Sequence, residues 1–369
     1  MRGKRRQQQE LFVSVNIETF VERHLSNDHP LRKIKRFADE VLKSLDSEFD
    51  TLYAKGGRPS IPPEMLLLAL LWQALFSIRS ERQLEDTLRY DLRFRWFIGL
   101  PFGQEPWDHS TFSRARETMR LQTIAYLFFE RHVEFLRAEN LMSNEHLSVD
   151  GTLLHAAASH KSMIPRDQAD KDGNPPPAPP GGRNGWVDFK GKKRSNETHM
   201  SATDPEARLA SKGTGAKLSY ELNVISENRN NLIVDFTVSP PTGTSEKEDA
   251  LAMISLLEAR EHSPSTLGAD RKYSDGDSLV AAIEQKGIAA HFATRDDRPN
   301  ALARVRQSDD SNYAISIRAR MRIEEIFAFA KCVCGLAKLR VRGVLRVFGA
   351  AAVAAVAYNI TRHATLAAH

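Results

Sequence analysis

The residues best suited to chemistry are acidic and far apart along the chain. In Leu147-Ser-Val-Asp-Gly-Thr-Leu153 apolar and polar residues alternate as in a half-buried strand, with Leu147, Val149 and Leu153 on one face and Ser148, Asp150 and Thr152 on the other. Asp is a poor strand former and costly to desolvate, so Asp150 needs a reason to be there. A metal ion is one reason and a solvent-facing position is the other; this stretch alone leaves both open. A second carboxylate, Asp270, ends the short strand pattern Ser265-Thr-Leu-Gly-Ala269. A third lies on the helical pattern from Ile317 to Lys331. At about 100° per residue Ile323, Ile326, Phe327 and Ala330 form one apolar stripe, with Arg320, Glu324 and Lys331 along its flank. Glu325 falls on the far side, toward water. Glu324 can therefore look from the edge of a packed face into a site; the alternative is an i,i+4 surface pair with Arg320, worth a few tenths of a kcal/mol. Three carboxylates with no His or Cys cluster nearby are a hard oxygen donor set, suited to Mg²⁺, with Mn²⁺ able to substitute.

Other candidates are weaker. Asp275 and Asp277 precede a helix and read as caps. Asp235 lies in a strand, but no spacing argument selects it. His155 and His160 follow the Asp150 strand and read as solvated loop histidines or a two-histidine site. No Gly-rich phosphate loop precedes a helix, which leaves nucleotide hydrolysis without support. No serine or cysteine has a recognisable base context. The two cysteines, Cys332 and Cys334, are too few for a disulfide framework or a zinc site, and a reducing cytoplasm is the natural setting.

The elements that must position these groups fall into two parts. The chain has 369 residues, 41% apolar and 27% charged, which fits two globular domains. The formal charge of +5 is a modest basic excess that suits a polyanion partner if it is clustered. The start, Met1 to Glu10, lacks the apolar core of a secretory signal. The apolar runs Met65 to Phe76 and Phe348 to Tyr358 fall short of the roughly 20 residues of a membrane span and read as core helices.

Residues 1–135 read as an all-helical domain. Asn27 to Glu48 has helical spacing, Pro62-Pro63 opens an apolar helix through Leu75, and Ser80 with Gln83 makes a capping box for a helix to Leu88. Phe94 to Leu100 is an aromatic segment ended by Gly99 and Pro101. The next helix starts at Asp108 or Ser110 and carries Ser110, Thr111, Arg114 and Arg116 in its first turns. These residues suit a helix-turn-helix DNA reader, or a small bundle whose basic residues are solvated.

Residues 140–369 alternate strands and helices. Within them, about 160–200 is a Pro/Gly-rich basic insertion: Asn174-Pro-Pro-Pro-Ala-Pro-Pro-Gly-Gly182 cannot build a packed element, and Arg183, Lys190 and Lys192 follow it. It reads as a DNA-contacting arm or as a tolerated surface insertion. After it, Leu218 to Ser226 and Leu232 to Val238 predict an antiparallel hairpin. Helix 246–261, strand 265–269, helix 275–286, strand 288–293 and the helix from Ile317 complete the order. A hairpin followed by strand–helix alternation gives an α/β fold, a mixed sheet flanked by helices in the order of a ribonuclease H-like domain. There three carboxylates meet near the sheet centre, on the first strand, at the end of the fourth, and on a late helix.

Val149-Asp-Gly-Thr152, Gly268-Ala-Asp-Arg-Lys-Tyr273 and the run from Arg320 through Glu324 to Lys331 resemble the three blocks of the DDE transposases of bacterial insertion sequences, in particular the IS5-like members of the IS4/IS5 group. The last run matches that group's pattern of Arg, three residues, Glu, six residues, Lys. A Tyr usually stands three residues before the Arg; here it is Ile317, a departure that touches one substrate contact and not the metal site. Lys55-Gly-Gly-Arg-Pro, Asp108 to Arg114, Ala202-Thr-Asp-Pro-Glu-Ala-Arg208 and Val356-Ala-Tyr-Asn359 resemble the group as well. The resemblance implies two divalent ions, bridged by Asp150 and held singly by Asp270 and Glu324, with Arg320 and Lys331 on the DNA backbone. Two ions roughly 3.5–4 Å apart activate an oxygen nucleophile and stabilise the leaving oxygen of a phosphodiester. It implies nicking at element ends and strand transfer, with terminal inverted repeats and target DNA as partners, a homodimer on DNA, and a bacterial cytoplasm. A DNA-binding regulator with an inactive catalytic fold, or a metal-dependent nuclease without strand transfer, stays open beside it.

Overall fold

Strand β1 (His146–His155) lies in the middle of a mixed sheet with both faces covered. One wet face is expected from its alternation, yet Ser148 and Thr152 are 1% and 8% exposed. The computed structural model describes residues 17–52, 61–101, 103–116, 119–168, 194–213, 215–274, 278–293 and 312–367. On one side of β1 runs antiparallel β2 (Lys217–Glu227), followed by antiparallel β3 (Ile233–Ser239). On the other side run parallel β4 (Thr266–Ala269) and then parallel β5 (Ala289–Phe292). The order β3-β2-β1-β4-β5 is the ribonuclease H-like sheet; a short strand, Arg208–Ala210, extends the outer edge of β2. The hairpin turn is fixed by Glu227, whose carboxylate accepts the N–H groups of Arg229, Asn230 and Leu232.

Parallel neighbours need crossovers, and helices supply them. The N-terminal helices are α1 (Ile17–His24), α2 (Pro30–Lys43), α3 (Asp46–Leu52), α4 (Pro63–Leu75), α5 (Glu81–Tyr90), α6 (Leu92–Ile98), α7 (His109–Arg116) and α8 (Met119–Ala138). The single helix expected over Asn27 to Glu48 is thus two, broken where the Ser44 hydroxyl bonds back to the Val41 carbonyl. Ser80 caps α5 by accepting Gln83 N–H, and the Gln83 side chain returns to the N–H of Arg79. Helix α9 (Ser245–Ala259) joins β3 to β4, and α10 (Arg271–Ser274) and α11 (Ser278–Gln285) lie between β4 and β5. The helix expected from Ile317 to Lys331 is α12 (Tyr313–Arg320), α13 (Ile323–Ala328) and a π-helical turn, Phe329–Val333. It breaks at Met321-Arg322 because the Arg322 carbonyl accepts Asn231 Nδ2 at 2.9 Å while its guanidinium reaches the Asn228 carbonyl at 3.1 Å. The β2–β3 turn thereby pins the chain there.

Helix α14 (Val344–Leu366) is long and apolar enough to cross a membrane, but here it packs on α8, α4, α2 and β3 and is the central helix of the core. Its alanines allow close approach, and Asn359 docks it to the open edge of β3, its side-chain oxygen accepting Ile233 N–H and its Nδ2 donating to the Ile233 carbonyl, both at 2.8 Å. Its N-terminus meets the motif Ala202 to Arg208: Asp204 accepts Gly343 N–H and the Tyr220 hydroxyl, and Glu206 accepts Val344 N–H. Carboxylates at a helix N-terminus satisfy free donors and complement its dipole.

Under this helix His132 is fully buried and hydrogen-bonds His363, which in turn meets Glu139 at 2.7 Å. Burial, helped by the neighbouring His363, holds the His132 pKa down to about 3 from 6.5. A base with a lowered folded pKa stabilises fully above its unfolded pKa and loses that contribution as pH falls from 6.5 toward 3. In His132→Gln, the stability-against-pH curve of the wild type should lose a slope of about 1.4 kcal/mol per pH unit in that window, read by denaturant melts at stepped pH.

Candidate active site

The register of the sheet sets the site. Val149 pairs with Ala269 across parallel β1 and β4, so Asp150 and Asp270 sit one residue further along on adjacent strands. Asp150 is 13% exposed at its side chain. One oxygen accepts Gly151 N–H at 2.7 Å and the other accepts Arg320 Nη1 at 3.0 Å. Burial pushes its carboxyl up to about 6; the Gly151 N–H and the charges of Arg320 and Lys212 pull against that, and the charge of Asp270 adds to it. Asp270 anchors its own loop by accepting Arg271 N–H at 2.6 Å.

Glu324 lies between two residues tied to β1. Arg320, at the end of α12, grips Asp150, and Lys331, in the π turn, donates to Thr152 Oγ1 at 2.5 Å. Glu324 is exposed on the first turn of α13, and its charge acts on Lys331. Arg320 pairs with Asp150 rather than with Glu324. Glu325 is exposed as expected, but it also accepts Asn231 Nδ2 at 3.4 Å. Among the described residues the carboxylates of Asp150, Asp270 and Glu324 are not drawn within the reach of one ion, whereas Glu85, Asp108 and His109 are. That last group is accounted for by helix capping: Glu85 accepts the backbone N–H and ring nitrogen of His109, and Asp108 accepts Ser110 N–H.

Several residues around Asp150 have no local signal in the sequence. The Cβ of any residue larger than glycine at position 151 would lie 2.2 Å from Asn223 Oδ1 and 3.3 Å from Glu246 Cγ. Lys212 donates to the Gly151 carbonyl at 2.6 Å and pairs with Glu246 at 2.8 Å. Glu246 lies beside buried Glu221: burial pushes Glu221 up to about 7, while at Glu246 burial raises the pKa but Lys212, the Glu221 hydrogen bond and Lys272 together bring it below the ordinary value. Tyr273 is buried among the charges of Asp150, Glu246, Glu221 and Asp270, which together with burial raise its pKa. Asp235, by contrast, faces Arg260, Glu130 and Arg137 and lies outside this group. His155 and His160 bond Ser219 Oγ and the Ala216 carbonyl separately.

The donors at the site are carboxylates, the hard oxygen ligands that suit a divalent cation by their chemistry. The comparisons agree with this chemistry. A family model described as "Transposase DDE domain" matches residues 143–360, and one described as "Transposase domain (DUF772)" matches residues 19–118. The chain belongs to the DDE transposase family. It is similar to the cryo-EM structure of the piggyBac transposase synaptic complex with hairpin DNA, at 12% identity over 92% of this chain and 76% of that one, TM-score 0.37. It is also similar to the crystal structure of the Mos1 mariner paired end complex with Mn, at 11% identity over 81% of this chain and 86% of that one, TM-score 0.20. No curated protein matches the chain.

In this transposase the helix proposed to read DNA is α7. Ser110 and Thr111 are half-buried on its first turn, and exposed Arg114 donates to the Ser110 carbonyl and hydroxyl. Arg116 is occupied within the protein: its guanidinium reaches Gln73 and, at 3.4 Å, Glu81. Arg183, Lys190 and Lys192 lie outside the described residues, as does most of the 160–200 insertion.

Asp150 carries a testable cost. A carboxyl whose folded pKa is raised stabilises fully below its unfolded pKa of 3.8 and loses that contribution as pH rises through 6. Asp150→Asn should therefore be more stable than the wild type at pH 8, by about 3 kcal/mol, with the gap closing below pH 4. Calorimetry across that range checks the sign.

Proposed function

We propose that the chain is an insertion-sequence transposase of the IS5-like group that cleaves element ends and transfers the freed strands into target DNA, with Asp150, Asp270 and Glu324 as its catalytic carboxylates. The observation carrying this reading is the meeting of Asp150 with Arg320 across 170 residues of chain, beside Asp270 on the neighbouring strand.

Asp150, Asp270 and Glu324 would hold Mg²⁺, with Mn²⁺ as a substitute, because all three offer hard oxygen. When bound, the ions supply an activated oxygen nucleophile and charge relief at the scissile phosphate. The chain's own groups do the rest. Arg320 spends Nη1 on Asp150, while its Nε is buried without a hydrogen-bond partner among the described residues. A guanidinium with a spare donor is suited to a phosphate oxygen, the second half of a forked contact. Lys331 stands two residues along β1 from Asp150 through Thr152 and would hold the next phosphate. Lys212 neutralises Glu246 and leaves Asp150 as the carboxylate facing the reaction. Helix α7, with Ser110, Thr111 and Arg114, would contact the terminal inverted repeat, and Arg183, Lys190 and Lys192 the flanking backbone. Two ends joined in one reaction call for two copies of the chain, a homodimer on DNA, working at the bacterial nucleoid.

Asp150→Ala, Asp270→Ala and Glu324→Gln should each lower strand cleavage by about 10³-fold or more, the equivalent of several kcal/mol of lost charge stabilisation, while end binding by gel shift is spared. Cleavage surviving in Glu324→Gln would reject that residue's assignment. A pre-cleaved element end incubated with supercoiled target should give joined products; cleavage without joining would identify a nuclease, and end binding without either a regulator.

A further inference from the structure

A cavity of about 380 Å³ opens between the N-terminal helices and the segment that follows Lys331. Its walls carry Arg79, Arg116, Lys331, Lys338, Arg340 and Arg346, and among the described residues no carboxylate lines it. Arg79, Lys338, Arg340 and Arg346 are exposed, and among the described residues no acidic side chain pairs with them. Arg116 and Arg340 stand close enough for the charge of Arg340, after burial, to lower the Arg116 pKa. The floor is apolar, built from Leu70 and Ile78 on one side and Leu336 and Val353 on the other. Arg116 is met by Glu81, but the four exposed cations are crowded on an apolar floor with no acid to balance them, an arrangement completed by an anion.

We propose that this cleft binds unpaired DNA, roughly one or two nucleotides of the strand next to the scissile phosphate, with phosphates on the cationic walls and sugars on the apolar floor. The size selects the ligand: a cavity of this volume admits a single strand and not a duplex. The position selects the strand. Lys331 both lines the cleft and bonds Thr152, two residues from Asp150, so a chain leaving the catalytic carboxylates past Lys331 enters it directly. The proposal rests on the reading of the chain as a DNA-processing transposase and names where its substrate runs.

The cleft contains its own reporter. Both cysteines of the chain line it; Cys332 is exposed, whereas Cys334 is half-buried and burial pushes its thiol up to about 12, away from the reactive thiolate. The full-length protein is alkylated with iodoacetamide alone, with a fluorescent oligothymidylate, and with a blunt duplex of equal length, and anisotropy of the oligothymidylate is followed against salt. Oligothymidylate should slow Cys332 alkylation several-fold and duplex should not. In the triple variant Lys338→Ala, Arg340→Ala, Arg346→Ala the slope of log affinity against log salt should fall by about 2, from about 0.7 per phosphate contact on a single strand. Unchanged alkylation with bound oligothymidylate, or an unchanged slope in a variant that melts like the wild type, overturns the proposal. If the variant does not fold, alkylation of the wild type decides alone. Protection without any strand cleavage or joining would strike the catalytic reading and leave the cleft; joining without protection would strike the cleft alone.

Discussion

The site depends on a carboxylate placed where water is scarce. Asp150 sits in a central strand, and a buried carboxylate is tolerated when its charge is met. Arg320 and the Gly151 N–H meet part of it, and burial still pushes the carboxyl up to about 6. That remainder is what a bound cation would relieve, and it is sustained by the covering of β1 on both faces. A wet face would lower the cost of the charge and with it the pull on a metal or a phosphate. The break between α12 and α13 belongs to the same constraint, since it lets Arg320 end one helix over Asp150 while Arg322 is tied to the β2–β3 turn.

Close packing behind Asp150 serves the same end. Gly151 lets β2 bring Asn223 against β1, and Asn223 Nδ2 holds Asp249 at 2.7 Å on α9. Helix α9 can then place Glu246 beside Glu221 of β2, whose carboxylate accepts the Ser245 hydroxyl, and Lys212 can reach in to neutralise Glu246. Remove the glycine and α9 must move out, carrying Glu246 with it. A glycine following an aspartate in a strand is therefore a statement about close approach of a neighbouring chain.

What was legible in the sequence was local or periodic. The strand around Asp150, the hairpin, the Ser80 cap, the Pro63 helix start and the strand–helix alternation all follow from spacing and turn chemistry, and they are enough for the ribonuclease H-like sheet. Asp235 lies in a strand as Asp150 does, and no spacing argument separates the two; the neighbours that do, Arg260, Glu130 and Arg137, are distant in the chain. The rest depends on partners distant in the chain. The helix wheel over Ile317 to Lys331 assumed one continuous helix, and Asn231, about 90 residues away, breaks it. Arg116 looks like a recognition-helix cation until Gln73 and Glu81 occupy it. Lys212 precedes the run Gly213-Thr-Gly215 with no pattern of its own, and nothing in its neighbourhood announces Glu246. Ala202 to Arg208 could be matched as a motif, but its purpose, capping a helix that starts near residue 343, exists only in three dimensions.

A net charge of +5 hides the arrangement that gives it meaning. Along β1 the charge changes sign within two residues: carboxylates gather around Asp150, and beyond Thr152 the cations of Lys331 and the following segment take over. Such a boundary orients a polyanion as well as attracting it. Phosphates would be drawn to the cationic side and repelled from the carboxylates, so on the proposed reading a strand would settle across the acids only together with the cations they would hold. The π turn at Phe329–Val333 sits on this boundary, and its widened backbone is what turns Lys331 toward Thr152 while Cys332 and its successors line the cleft.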